Sequence, residues 1–504
     1  MKMNKIVSAS LALMLGWGGT AFAQNEVDAL RYTRYGLTGS ARIQGIGGAQ
    51  TALGADVSTM ASNPAGLGMF RRSEFSISPG MTFSTSKGSV FGTTTTDERN
   101  SLGIPHAAFV FSERQGEPQG DWTGATFGLS FTRLNNFNNR TSYRNTAGGQ
   151  DPTIVEYFTE QANLRGRTKA DLDREFDDGF TSLEGLAFGT YLFDVVQDAN
   201  GKDVFLPTDR VGNINQSEEI IRRGSQNQID IAGGTSYKDK VYLGASLGVI
   251  TSDFRQERFF RESEENPDTD FTSLELRDEF RTRGTGLNLK VGIIVKPSDI
   301  VRFGASIQTP TFYNFNETFE RSLYSTFLPG ENYGEQELPG EFSYKLTTPF
   351  RANGGVAFFL QKYGFITADI EYVNYANASF GESDDFGGNG SYFNDVNDRI
   401  SDTYQSALNF RLGAEARYEV FRFRAGYAIT GDPYKNADFD GSIHTFTLGT
   451  GLRLNKYYAD IAFASSTANS LYAPYTFSDP AAVVPLVDVE DKQNTVMLTV
   501  GYNF

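Results

Sequence analysis

Two histidines, His106 and His444, and no cysteine make up the whole supply of imidazole and thiolate in this 504-residue chain. Neither histidine stands in a recognisable nucleophile motif, which leaves acid–base or nucleophilic catalysis little to work with. Two histidines and no cysteine leave axial haem ligation possible but poorly supported. Carboxylates are plentiful, and "ESDDFGGNGSYFNDVNDR" and "NADFDG" carry calcium-like spacings, yet neither supplies a full twelve-residue ligand loop. Both read as solvated loops. No metal, no cofactor and no enzymatic activity are expected.

Function must then come from shape and surface, and composition narrows the shape. Gly 53, Phe 42 and Tyr 24, with 13% aromatic residues, favour strands and turns over helix bundles. The lack of cysteine excludes a disulfide scaffold. A net charge of -16 argues against nucleic acid as a partner, because phosphate binding needs a basic face.

The first residues read as a secretory signal over 1–23. Lys2 and Lys5 precede an apolar stretch from Ile6 to about Gly16, and Ala21-Phe22-Ala23 supplies small residues for cleavage before Gln24. The stretch is shorter than the ~18 residues a spanning helix needs.

Beyond it the chain alternates. In "ALNFRLGAEARY", Leu408, Phe410, Leu412, Ala414, Ala416 and Tyr418 share one face, with Asn409, Arg411, Gly413, Glu415 and Arg417 on the other. "GATFGLSFT", "VYLGASLGV" and "FRFRAGYAI" repeat the pattern. Strands are expected to begin near Ser73, Ser101, Trp122, Asn227, Val241, Phe271, Ile300, Glu341, Tyr363, Thr403, Phe421, Ser442, Tyr457 and Gln493, about fourteen in all. Short connections at Tyr237 to Lys240, Lys296 to Asp299 and Asn455-Lys456 alternate with long ones at Asn135 to Gln226, Thr311 to Gly340, Ala376 to Asp402 and Thr467 to Lys492. A soluble sandwich also alternates, but it has no reason to keep that parity of loops. The fold class is therefore all-β, a transmembrane antiparallel β-barrel. "NTVMLTVGYNF" alternates to the last residue, and its Tyr502 and Phe504 resemble the signal read by the outer-membrane barrel-assembly machinery.

One stretch is neither strand nor ordinary helix. "GSARIQGIGGAQTALGADVSTMASNPAGLG", Gly39 to Gly68, resembles the N-terminal hatch of the FadL family of outer-membrane transporters for long-chain fatty acids and other hydrophobic compounds. Asn63, Pro64 and Ala65, followed by Gly66, stand in the family's Asn-Pro-Ala position. The resemblance continues through Thr348 to Ala376, Phe410 to Tyr434 and Leu448 to Phe463. It implies a fourteen-stranded barrel over 73–504 whose lumen is plugged by a hatch over 24–72, in the outer membrane of a Gram-negative bacterium. The implied function is passive uptake of long-chain fatty acids or other hydrophobic molecules past lipopolysaccharide. Each methylene leaving water contributes roughly 0.8 kcal/mol, so capture needs no catalytic group.

Two helix-like stretches in the long loop are candidates for capture, through Ile154, Tyr157 and Phe158 in the first and Leu183, Leu186 and Phe193 in the second. Packing on the barrel rim is the alternative role for the same residues. Inward charges at Asp369, Glu371, Arg411, Glu415, Arg422 and Arg424 are candidates to hold the hatch or to orient a substrate carboxylate, with solvated lumen lining as the alternative. A barrel serving protein secretion and a haemin receptor are the rival functions.

Overall fold

Phe127 and Leu129 stand exposed on one side of their strand while Thr126 and Ser130 are buried on the other. Apolar side chains outside and polar ones inside is the arrangement of a sheet whose outer face meets lipid. The structure, a computed structural model, describes residues 25–114, 121–148, 151–208, 213–264, 269–383, 391–436, 439–479 and 481–504. The signal segment 1–23 and Gln24 lie outside the described residues, as do parts of both acidic loops.

The strands are β1 (Glu74–Val90), β2 (Thr93–Arg114), β3 (Trp122–Asn136), β4 (Asn139–Ala147), a small β5–β6 hairpin (Phe193–Gln197, Asp203–Pro207), β7 (Ile214–Tyr237), β8 (Val241–Glu264) and β9 (Phe271–Val295). There follow β10 (Val301–Gln308), β11 (Phe312–Phe327), β12 (Glu331–Gln336), β13 (Gly340–Thr347), β14 (Arg351–Phe359), β15 (Gly364–Asn374) and β16 (Ser379–Glu382). The last are β17 (Ser406–Tyr418), β18 (Phe421–Thr430), β19 (Ile443–Arg453), β20 (Tyr457–Tyr472) and β21 (Val487–Asn503). Several are halves of one stave interrupted by a bend, so that the wall is a closed 14-strand antiparallel barrel. β21 closes it on β1, from Glu74↔Asn503 to Ser89↔Asp488. The amide of Phe504 donates to the Ser73 carbonyl at 3.0 Å, fastening the last residue to the first strand.

Strand starts at Trp122, Val241, Phe271, Phe421 and Tyr457 fall where alternation puts them. β2, β7 and β21 begin earlier than expected, and much of Thr311 to Gly340 is strand rather than loop. The upper strands rise beyond the lipid zone, where both faces carry charge and period two fades. One connection on the long-loop side is tight: Phe91 and Gly92 turn β1 into β2 with φ of 45° and 86°.

Three helices cap the outer end: α3 (Ile154–Leu164), α4 (Lys169–Asp178) and α5 (Leu183–Gly189), numbered after α1 (Glu26–Thr33) and α2 (Ala41–Gln44). α3 starts where the Thr153 amide and hydroxyl both donate to Glu156, at 2.9 and 2.7 Å. α5 ends before Phe193, which opens β5 instead of extending a helical face, and α4 was not anticipated. α6 (Asn394–Thr403) lies in a second outer loop. Among the described residues no helix is long and apolar enough to cross a membrane.

Candidate functional site

The segment from Asn25 to Phe70 lies against the inner wall. Its lower part, Gly39 to Met69, is mostly small or turn-forming, and its main chain docks where the wall has no side chains. Gly128, Gly234, Gly244, Gly292, Gly304, Gly355, Gly413, Gly426 and Gly449 all face inward. A Cβ at Gly244 would collide with Pro64, at Gly292 with Asn63, at Gly304 with Thr51, and at Gly413 with Ile46. These are close approaches that only glycine permits. Several pair directly in register, as Gly234↔Gly244↔Gly292, Gly304↔Gly355 and Gly413↔Gly426.

Asn63 sits at the centre of this docking. Its backbone is extended, as a residue before proline must be, and its side-chain oxygen accepts from Ala65 N at 3.2 Å to start a short 3-10 turn over Pro64–Met69. Its amide donates to the Thr51 carbonyl at 2.7 Å and the Ile293 carbonyl at 3.2 Å. One side chain thus ties the turn, an earlier part of the same segment and β9. Ala65 is fully buried, and a side chain at Gly66 would meet Thr59.

The inward charges divide by role. Asp369 accepts from Gln50 N, Thr51 N and Thr51 Oγ1 at 2.7, 2.8 and 2.8 Å, holding the segment through hydrogen bonds rather than an ion pair. Glu371 receives Arg351 at 3.1 Å, Arg411 at 3.4 Å and the Asn409 amide at 2.6 Å. Glu415 lies between Arg42 of the segment at 3.6 Å and Arg424 at 2.8 Å, and Arg424 reaches on to Asp460 at 2.7 Å. Arg422 stays apart, donating to the carbonyls of Glu419 and Phe421 at the β17–β18 turn. Arg42, Arg351 and Asp460 carry no sequence signal of these roles: Arg42 meets Glu415 and Arg351 meets the Thr33 carbonyl across hundreds of residues, while Asp460 meets Arg424 and Arg453 only through the register of neighbouring strands. Arg42 also reaches Asp56 at 3.4 Å. Burial opposes ionisation of Asp56, but the Arg42 guanidinium and the Ser58 amide and hydroxyl outweigh it, holding the carboxyl below its ordinary value.

Above the docked part the lumen turns aromatic. α1 lies there among Phe254, Tyr313, Phe315, Tyr344, Phe380 and Phe393. Tyr32 meets Phe315 at 4.5 Å between ring centres, and Arg31 lies over Phe254 at 4.1 Å. Arg351 donates to the Thr33 carbonyl and covers Tyr35 at 4.2 Å.

The loop candidates lie higher still. Ile154, Phe158, Leu186 and Phe193 are buried in one apolar core with Phe260, Phe271 and Leu323 of the risen strands, and Tyr157 and Leu183 sit at its margin. Rim packing therefore describes the four as they stand.

The wall is interrupted on one side. β2 pairs with β1 along Thr93 to Val110, but with β3 only along His106–Arg114, so the upper part of β2 has no β3 partner. β4 turns inward there, with Ser142 against the inner face of β1 at Gly88 and donating to Asp97 at 2.6 Å. The two histidines are on opposite surfaces. His106 is buried inside at 3.1 Å from the Thr132 hydroxyl, and His444 is outside at 2.8 Å from Tyr427.

Comparison by sequence finds no matching family model and no similar characterised protein. Comparison by structure is decisive for the fold. A Pseudomonas aeruginosa FadL homologue superposes with TM-score 0.55 over 94% of this chain and 100% of its own, at 12% identity. The chain has the fold of the FadL-type barrels. The Pseudomonas putida toluene transporter TodX matches with TM-score 0.51 over 93% and 99% at 13% identity, and the Ralstonia pickettii toluene transporter TbuX with 0.50 over 92% and 98% at 15%. This FadL-type architecture gives the alternating loops and the bent staves a common frame.

Proposed function

We propose that this chain is an outer-membrane carrier for hydrophobic small molecules, long-chain fatty acids or aromatic hydrocarbons among them, with residues 24–72 acting as its hatch. The observation that carries the reading is the aromatic chamber above the docked segment. Its aromatic lining packs against α1, and with α1 moved aside the same apolar surface is open to another apolar partner. For an apolar solute it offers burial at roughly 25 cal/mol per Å² on a route past lipopolysaccharide.

α1 now fills that chamber, so passage requires it to give way. The marginal residues Tyr157 and Leu183 are where a solute first meets the cap core, and the interruption between β2 and β3 is a way out sideways. Tyr502 and Phe504, at the closing strand, are where the barrel-assembly machinery would read the chain. The names of two solved structures of the same fold specify toluene transport, which favours an apolar cargo over a protein one.

The test is uptake in cells lacking their own carrier, with radiolabelled oleate and toluene as alternative cargoes, and mass spectrometry of lipids in gently purified barrels. Uptake above the empty-vector level for either cargo supports the proposal. No uptake of either, together with copurification of a secreted protein, replaces it with the secretion reading.

A further inference from the structure

The outer face of β7, β8 and β9 changes character abruptly above its apolar belt. On β9, Ile293, Val291, Leu289 and Leu287 are exposed in succession, then Thr285, then Arg283 and Arg281. Arg283 stands about 13 Å up the strand from Leu287, or roughly 10 Å higher once strand tilt is allowed for. That is the height of the outer-leaflet headgroups.

At this level three arginines stand directly across from one another in the sheet, Arg223↔Arg255↔Arg281. Like charges directly opposite on neighbouring strands destabilise a sheet, so the row calls for anions. The protein supplies some. Glu257 lies 3.8 Å from Arg223 and 3.1 Å from Arg255, Glu279 2.8 Å from Arg255, and Asp253 serves both Arg281 and Arg283. Three carboxylates thus serve four guanidinium groups, in a chain whose total charge is -16. The arginines remain 38% to 61% exposed.

Beside the row the wall is recessed. Where β10 gives way to β11, a hollow of about 580 Å³ opens on the outer face. Arg283 and Lys345 flank it, Asn314, Asn316, Thr251 and Thr285 line it, and the one carboxylate in it, Asp253, is already paired with Arg281 and Arg283. Two cations with amides and hydroxyls between them suit a phosphate carried on a sugar, because guanidinium groups grip phosphate in a fork and amides and hydroxyls pair with sugar hydroxyls. A bare lipid-facing wall has no use for this combination.

We propose that the outer wall over β7 to β11 is a binding site for lipopolysaccharide, with Arg223, Arg255, Arg281 and Arg283 taking the phosphates of its glycolipid anchor and the recess taking a sugar. The inference rests on the outer-membrane placement proposed above. It is independent of what the lumen carries.

The test compares wild-type barrels with the triple variant R255A/R281A/R283A, both purified from outer membranes and both passed for heat-modifiable gel mobility. K169A, an exposed cap residue, is the control. Copurified lipopolysaccharide is counted by native mass spectrometry. Each sample is then stripped and offered purified lipid A, dephosphorylated lipid A, phosphatidylglycerol or inorganic phosphate. Wild type and K169A should retain lipid A and lose it as salt rises, and the triple variant should retain roughly tenfold less. The lysine set R255K/R281K/R283K should fall between, having charge without the fork. Equal retention by the alanine variant, or equal binding of dephosphorylated lipid A or phosphatidylglycerol, overturns the proposal. Because add-back uses isolated barrels, it reports the site even if fractionation fails to place the protein in the outer membrane. Unchanged oleate or toluene uptake in the triple variant separates this site from the carrier reading.

Discussion

In the lower lumen main chain meets main chain, with Pro64 against Gly244, Thr51 against Gly304 and Ile46 against Gly413. In the outer cap side chain meets side chain, with Phe158, Leu186 and Phe193 against Phe260, Phe271 and Leu323. The first kind of contact fixes position, since a backbone seated on glycine has no rotamers to change and is ringed by Asn63, Asp369 and Arg42. The second rests mainly on apolar area, pinned by a few hydrogen bonds such as Ile154 N to Glu262 at 3.0 Å and Ser325 to the Thr190 carbonyl at 2.6 Å, and an apolar molecule of suitable size replaces one apolar contact with another at little cost. On the carrier function proposed above, capture falls to the exchangeable region and closure to the fixed one.

The cap should be damaged without the floor. Phe158→Ala removes a fully buried ring and should cost the cap about 3 to 5 kcal/mol. Limited proteolysis should clip the chain between 149 and 213 faster, while heat-modifiable mobility and pore conductance stay as in wild type. Conductance that rises with the clipping would mean that the two regions are one cooperative unit.

In the floor the largest loss should come from Arg424→Met. It strips Glu415 and Asp460 of a shared partner deep in the wall, and removing one side of a buried pair costs about 3 kcal/mol or more. Arg417 and Arg453 remain near the two carboxylates and limit the loss. Thermal unfolding should fall, and Asp460→Asn added to Arg424→Met should restore part of it.

Gly292→Val asks the same question of shape. Its new side chain lands on Asn63, and overpacking of this kind costs about 1 to 3 kcal/mol. The segment should leave its seat and single-channel conductance should rise, with the barrel still heat-modifiable.

Much of this contrast was legible in the sequence, though unevenly. The strands of the lipid zone announce themselves because lipid outside and polar lumen inside impose strict alternation, as at Leu408 to Tyr418. Above that zone a run such as "SEEIIRRG" falls in the connection expected from Asn135 to Gln226, yet it forms the top of β7. The Asn63-Pro64 turn is readable because its chemistry is local. Its seat is not, because Gly244, Gly292 and Gly304 carry no side chain to signal a partner that lies far away in sequence. Asp369 is recognisable as an inward charge, but nothing in its neighbourhood tells that it will accept from Gln50 and Thr51.

A smaller effect is expected from the turn itself. Asn63→Ala with Pro64→Ala removes the bonds to Thr51 and Ile293 and frees the chain before and after, a loss of about 1 to 2 kcal/mol. The glycine seats remain, so the segment should stay docked but breathe. Hydrophobic uptake and small-solute conductance should both move from wild type while assembly is untouched. If neither moves in folded barrels, the seats alone fix the segment and Asn63 only shapes a turn.

The mildest perturbation is acid. Asp56 is held ionised by Arg42 and the Ser58 amide, with Ser40 at 3.1 Å, His106 nearby and Glu74 as the neighbouring carboxylate. Its folded value lies below its unfolded one, so its contribution to docking is complete above the ordinary carboxylate range and is lost as pH falls through the depressed value. Conductance measured from pH 7 downward should therefore stay flat until pH is below about 4, then rise as the carboxyl takes up a proton and Arg42 keeps Glu415 and the Ala55 carbonyl. Asp56→Asn should show a slightly raised conductance at neutral pH and a weaker acid response. If the variant responds to acid as wild type does, the response originates in the wall, and the fixed region is held by glycine and hydrogen bonds without help from this charge.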